Sequence, residues 1–184
     1  MKTGGHGKAA ADFNDPSETF YVVDDSDNEI GKASRKECHA KHLRHRSMGI
    51  VVVKGGKILI MKRSPKKDLH PSEWEANVGG HVSYGETYEA AAKRELMEET
   101  GLSDSITLVE KYPFSDATEK EMITVFYCEA SGEPVINAQE ATECRFVTLG
   151  ELDGMMRKEK FTPCSTEDVQ KFKNAIKRLK IVLR

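Results

Sequence analysis

The stretch from Gly80 to Leu102 constrains this chain more than any other. Glu95, Glu98 and Glu99 stand at i, i+3 and i+4, so on a helix their carboxylates share one face and repel one another. Such a helix is expected to start at Thr87, a fair N-cap, and to run to about Thr100. Gly101 then accepts the left-handed conformation of a C-terminal cap. That puts Glu98 and Glu99 at the negative end of the helix dipole, where anions are disfavoured. Two local rules are broken together, as happens at functional sites, and the simplest compensation is a bound cation. Carboxylate oxygens suit a hard divalent ion such as Mg2+ or Mn2+. Arg94, four residues before Glu98, offsets part of the repulsion and can hold a carboxylate in place. The competing reading is a solvated acidic helix face.

The flanking chain reads as short strands and helices. Residues 1–18 lack apolar periodicity and are expected to be a mobile arm, leaving 19–184 as the folded domain. Phe20 to Val23 is a strand, ended by the acidic turn Asp24 to Asn28. Ser34 to Arg46 is a basic, histidine-rich segment, either a solvated charged stretch or, over Lys41 to Arg46, a short nucleic-acid patch. Met48–Val53 and Lys57–Met61 flank Gly55-Gly56 and predict a hairpin. A polar loop over 64–73 follows, then Trp74 and a strand over Ala76–Val78 leading into Gly79-Gly80, where two glycines permit close backbone approach. Arg63 is either a phosphate contact or a strand-edge cation. Trp74 either stacks on a base or fills the core. Ile106–Val109, Met122–Cys128 and Arg145–Thr148 are further strands, and Leu149–Arg157 a short helix. A last helix begins at Ser165-x-x-Asp168, with Val169, Phe172, Ile176 and Leu179 on one packing stripe.

Gly80, Glu86, Arg94, Glu95, Leu96, Glu98, Glu99, Gly101 and Leu102 meet every fixed position of the pattern G-x5-E-x7-R-E-U-x-E-E-x-G-U, with U aliphatic. The pattern resembles the Nudix box. The resemblance covers about residues 20–180 and implies an α/β fold, the Nudix-type α/β/α sandwich with a mixed central sheet. It also implies hydrolysis of a diphosphate linkage in a nucleoside diphosphate joined to another group, by water attack at phosphorus with Mg2+ or Mn2+. Carried over by position, Glu98 and Glu99 are metal ligands, with the Gly79 carbonyl as a further one. Glu95 is the metal-associated glutamate and candidate general base. Arg94 would orient the carboxylates and Glu86 would support them. Glu140 and Glu143 lie where a base is sometimes supplied, or serve as surface residues.

A second resemblance concerns His39, His45, His81, Glu119 and Glu121, which are similar to the three-histidine, two-glutamate metal cluster of type I isopentenyl diphosphate isomerases. Such a donor set suits Mn2+, Zn2+ or Fe2+. His81 is either a ligand or substrate contact, or turn packing. The departures are a first histidine pair one residue closer together, and Gly79 where the isomerase carries its catalytic cysteine. None of the four cysteines lies within forty residues of Gly79. The reading is therefore a Nudix hydrolase, with the isomerase or a non-catalytic nucleotide-binding module as alternatives.

Composition narrows the setting. At 184 residues the chain fits one domain with a sizeable core. A net charge of -2 gives no global reason to expect nucleic acid or a membrane surface as partner. The expected partner is a small-molecule diphosphate. Cys38, Cys128, Cys144 and Cys164 form no C-x-x-C pair, and no apolar run resembles a signal peptide or membrane span. A reducing, cytoplasmic setting is expected. The leaving group and the oligomeric state are not encoded in any motif.

Overall fold

The computed structural model describes residue 15 and residues 17–184. Most of the expected N-terminal arm lies outside these residues. Its described end is tied down: the Glu18 carboxylate accepts from Ser83 Oγ (2.7 Å), and the Glu18 carbonyl from the Arg35 amide (2.6 Å).

The central element is β3 (His45–Lys54), which has partners along both edges. It runs parallel to β8 (Lys120–Glu129), with His45 opposite Glu121 and Val53 opposite Glu129. On its other side it pairs antiparallel with β6 (Val78–His81) towards its start and with β4 (Lys57–Arg63) at its end. The turn between β3 and β4 has Gly55 and Gly56 at φ 55° and 78°, the two left-handed positions that a tight hairpin demands. β4 also carries the short β5 (Trp74–Glu75) and β9 (Ala141–Val147), while β7 (Ile106–Ser115) forms the edge beside β8. β1 (Thr19–Val23) and β2 (Glu29–Ser34) complete a nine-stranded mixed sheet.

Period-two alternation along β3 feeds two cores. Met48, Ile50 and Val52 face α2 (Tyr88–Thr100), where Ala91, Ala92 and Leu96 are fully buried. Val51 and Val53 face α3 (Leu149–Met156) and α4 (Pro163–Leu179), through Leu152, Val169 and Phe172. Helices on both faces of a mixed sheet make an α/β/α sandwich. Burying one side chain such as Leu96 contributes roughly 1.5–3 kcal/mol.

Several boundaries differ from expectation; the strand expected over Ala76–Val78 runs instead over Val78–His81, with Gly79 and Gly80 inside it and paired to β3. Ser34 opens a helix, α1 (Arg35–Lys41), through a capping box with Glu37. β7 continues past Val109 and through Pro113; it pairs only with β8, so a residue without an amide hydrogen is tolerated at its open edge. The strand expected at Arg145–Thr148 begins at Ala141, and Thr148 instead caps α3 with Glu151. The last helix starts at Pro163 rather than Ser165, because Pro is preorganised for the first helical position. Ser165 and Asp168 are buried in its first turns instead: Ser165 Oγ accepts from the Ala76 amide (2.7 Å), and Asp168 bonds Asn77 and Tyr112. The cations of the supposed nucleic-acid patch have internal partners, Arg44 with Asp25 and Arg46 with Asp27.

Candidate active site

α2 is fixed at both ends before its acidic flank is considered. Thr87 Oγ1 accepts from the Ala90 amide (3.1 Å), and Gly101, at φ 67°, donates to the Met97 carbonyl. Between them, Arg94 gathers the acids. Its guanidinium grips both oxygens of Glu86 (2.9 and 3.0 Å) and donates to Glu95 (2.7 Å), Glu98 (3.3 Å) and the His81 carbonyl (3.2 Å). Only a planar fork of several donors can serve this many acceptors at once. Glu95 lies directly on Gly80, where a Cβ would come within 2.4 Å of its Oε1. Gly79 is different, since a Cβ there would meet nothing closer than 3.6 Å.

The acids outnumber the local positive charge. Burial pushes the Glu95 carboxyl up to about 7, against the pull of Arg94. Glu99 is raised well above the usual carboxylate range by burial, with Glu140 and Glu95 adding to it. Both groups gain from a proton or a cation, which is the donor chemistry of a hard divalent ion site.

The glutamates border a cleft of about 410 Å3, a volume suited to a small molecule. Arg63 lines it and is held by Glu75 (2.7 Å) and the Leu69 carbonyl (2.9 Å). Trp74 does not. It is 5% exposed, packs against Phe161, and has Lys62 and Arg145 over its ring. Trp74 is thus a core residue, and the stacking role is withdrawn. Glu140 and Glu143 separate: Glu140 is buried in the cleft wall beside its ion-pair partner Lys67, whereas Glu143 is exposed on β9. Cys164 lines the same cleft as Gly79, which distance along the chain had concealed. Burial, reinforced by nearby carboxylates, keeps its thiol protonated.

Behind the part of the cleft lined by His81, Glu119 and Glu121, His39, His45, His81 and Glu119 bring four donor atoms within 4.8 Å of one another. Glu121 stands beside them, 3.9 Å from His45 Nε2 and 3.7 Å from His81 Nε2. The Nε2 atoms of all three histidines and Glu119 Oε2 are buried without a hydrogen-bond partner, the condition of a site built for an ion. His45 Nδ1 donates to the Leu43 carbonyl (2.9 Å), which leaves Nε2 as the lone pair. Burial holds this ring's pKa down at about 4 and raises the Glu119 carboxyl to about 7. His81 is the exception, because Arg35 donates to its Nδ1 (3.1 Å) and the neutral ring then carries its hydrogen on Nε2. Ligation through that atom requires the Arg35 contact to be given up.

Residues 43–164 match the NUDIX domain family model. The chain belongs to the Nudix family. A protein of Yersinia pestis described as an uncharacterized Nudix hydrolase is 34% identical over 147 residues, spanning 78% of this chain and 79% of the relative. Isopentenyl-diphosphate Delta-isomerase 2 of Photorhabdus laumondii is 32% identical over 145 residues, spanning 76% and 82%. The crystal structure of DR0079 from Deinococcus radiodurans superposes with a TM-score of 0.71 at 24% identity, over 83% of this chain and 98% of that one. The Nudix sandwich expected from the sequence is therefore the fold observed, and the chain is a hydrolase of this family. No helix among the described residues is long and apolar enough to cross a membrane.

Proposed function

We propose that this Nudix hydrolase cleaves a diphosphate linkage in a nucleoside diphosphate joined to another group, and that it requires Mg2+ or Mn2+. The observation that carries the reading is the convergence of Glu95, Glu98 and Glu99 on one cleft wall, with two of the three carboxyls raised by burial and crowding. Glu95, Glu98 and Glu99 would hold the ion, with the Gly79 carbonyl as a further donor. Bound by these residues, a divalent ion would supply charge to neutralise diphosphate oxygens and would acidify water.

The chain's own groups supply the remainder. Arg94 sets the direction of the Glu95 and Glu98 carboxylates and ties them to the strand end at His81. Glu95, beside that ion, is the first candidate to take the proton of the attacking water. Glu140, in the same wall, is the second candidate for that role. Arg63, held by Glu75 in the cleft wall, would meet a phosphate oxygen. Phosphoryl transfer needs mainly positioning and electrostatic stabilisation, and a wall of fixed charges provides both.

His39, His45, His81, Glu119 and Glu121 are proposed as a second metal site suited to Mn2+, Zn2+ or Fe2+. The same residues, the Photorhabdus relative and Cys164 in the cleft favour an isomerase as the second reading. Gly79 weighs against it, since no side chain stands at that position. Incubating the protein with a panel of diphosphate compounds and Mg2+ tests the choice. New phosphomonoester ends support the hydrolase. Conversion of isopentenyl to dimethylallyl diphosphate, without hydrolysis, would replace it with the isomerase.

A further inference from the structure

The wall of the cleft formed by Asn77 and the start of α4 has a chemistry unlike the rest. Asp168, 1% exposed, accepts from Asn77 Nδ2 at 2.6 Å through one oxygen and from Tyr112 OH at 2.8 Å through the other. Room for this carboxyl beneath β3 exists only because residue 49 is glycine, where a Cβ would fall 1.8 Å from Asp168 Oδ2. The clamp fixes the Asn77 amide. With Nδ2 committed, Oδ1 is left as a pure acceptor, and it is buried without a partner in a residue that lines the cleft.

Thr162 repeats the feature. It is the N-cap of α4, yet its hydroxyl makes no capping bond and has no partner, although the residue is 2% exposed and lines the same wall. Two buried oxygens from different elements therefore meet the desolvation cost without the hydrogen bonds that normally offset it. The basic side chains of the cleft come from elsewhere: Arg35 from α1, Arg63 from β4, Lys67 from the 64–73 loop and Arg94 from α2. Phosphate oxygens would pair with those cations, whereas the Asn77 Oδ1 acceptor can pair only with a group that donates N–H or O–H.

We propose that Asn77 and Thr162 form the recognition subsite for the group joined to the diphosphate, and that this group presents N–H or O–H donors. It is polar, carrying base amines or sugar hydroxyls, and is not a hydrocarbon chain. A site built to hydrogen-bond its ligand rejects an analogue lacking those donors, because its own oxygens would stay unpaired. This inference rests on the diphosphate reading for its context, but binding tests it independently of turnover.

The experiment measures binding of AMP, ribose 5-phosphate and geranyl monophosphate to the full chain by titration calorimetry. AMP should bind at least tenfold more tightly than geranyl monophosphate, about 1.4 kcal/mol. Thr162→Val and Asn77→Leu should each weaken AMP about tenfold and leave geranyl monophosphate unaffected. If ribose 5-phosphate shows the same losses, the donors are sugar hydroxyls; if only AMP does, they are on the base. The exchanged pair Asn77→Asp with Asp168→Asn keeps both the clamp and an acceptor, and should restore AMP affinity to within about threefold of the wild type. Thr162→Val should melt no lower than the wild type, since it deletes a hydroxyl that bonds nothing. Unchanged AMP affinity in Thr162→Val and Asn77→Leu would mean that enclosed water satisfies these oxygens, and would overturn the proposal. So would equal or tighter binding of geranyl monophosphate, or no AMP binding at millimolar concentration. Donor-dependent AMP binding in a protein that cleaves no diphosphate would leave the subsite standing and remove the hydrolase reading.

Discussion

Arg94 is the residue on which the acidic cluster depends. Its fork reaches three carboxylates and one carbonyl, so Arg94→Lys keeps the charge but cannot keep the geometry. We expect turnover to fall by at least about tenfold with little change in folding; an Arg94→Lys enzyme of full activity would show that charge alone suffices. Glu95 gives a test by pH. Its folded pKa is raised from 4.5 to about 7, so between these values the folded state binds more protons than the unfolded one. In the metal-free protein its contribution to stability therefore falls as pH rises through that window. Relative to wild type, chelated Glu95→Gln should show no gain in unfolding free energy below pH ~4.5 and its full gain, on the order of 3 kcal/mol, above pH ~7. A pH-independent difference would contradict the raised pKa. The sequence revealed Arg94 and the three glutamates because helical spacing is a local property, whereas Glu86, which precedes α2, was indicated only by the resemblance to the box. Glu140, Cys164 and Asn77 were hidden, or left undecided, because β9, α4 and the start of β6 meet only through the sheet.

At the scale of elements, two glycines separate a functional constraint from a structural one. In Gly80→Ala the new Cβ meets the far end of the Glu95 side chain, which can swing away. Stability should drop by only about 1 kcal/mol while turnover falls at least about a hundredfold. In Gly49→Ala the Cβ meets the buried Asp168 carboxyl inside the central strand, and the cost should be several-fold larger, about 2–4 kcal/mol. Equal melting temperatures in the two variants would refute this division. Elements with strong local signals were legible: the Gly55-Gly56 hairpin, α2 with its two caps, and the apolar stripe of α4. β2 was not, since Glu29–Ser34 is a mostly exposed edge whose pairing comes from β1 rather than its own pattern. The start of α4 was misplaced because Ser165-x-x-Asp168 has the spacing of a cap but serves as a buried clamp.

For the whole molecule, the sandwich brings an oxygen-only acidic wall and a histidine-rich cluster to the same cleft. The box alone identified the family, while the meeting of the two clusters depends on β3 pairing with both β6 and β8. Elemental analysis after mild dialysis should find a transition metal that is lost in the His45→Ala, His81→Ala variant; equal content would remove the second site. Mg2+ at a hundred times its dissociation constant should stabilise the folded chain by about 2.7 kcal/mol, a rise of roughly 5–10 °C in melting temperature. A melting curve insensitive to millimolar Mg2+ would argue against a metal-organised helix. The most direct test is the release of phosphomonoester from a diphosphate substrate by wild type and Glu99→Gln, each with Mg2+ and with a chelator. The account predicts turnover only for the wild type with Mg2+, and at least a hundredfold less for a folded Glu99→Gln. Full activity of Glu99→Gln, or of the chelated wild type, would contradict it.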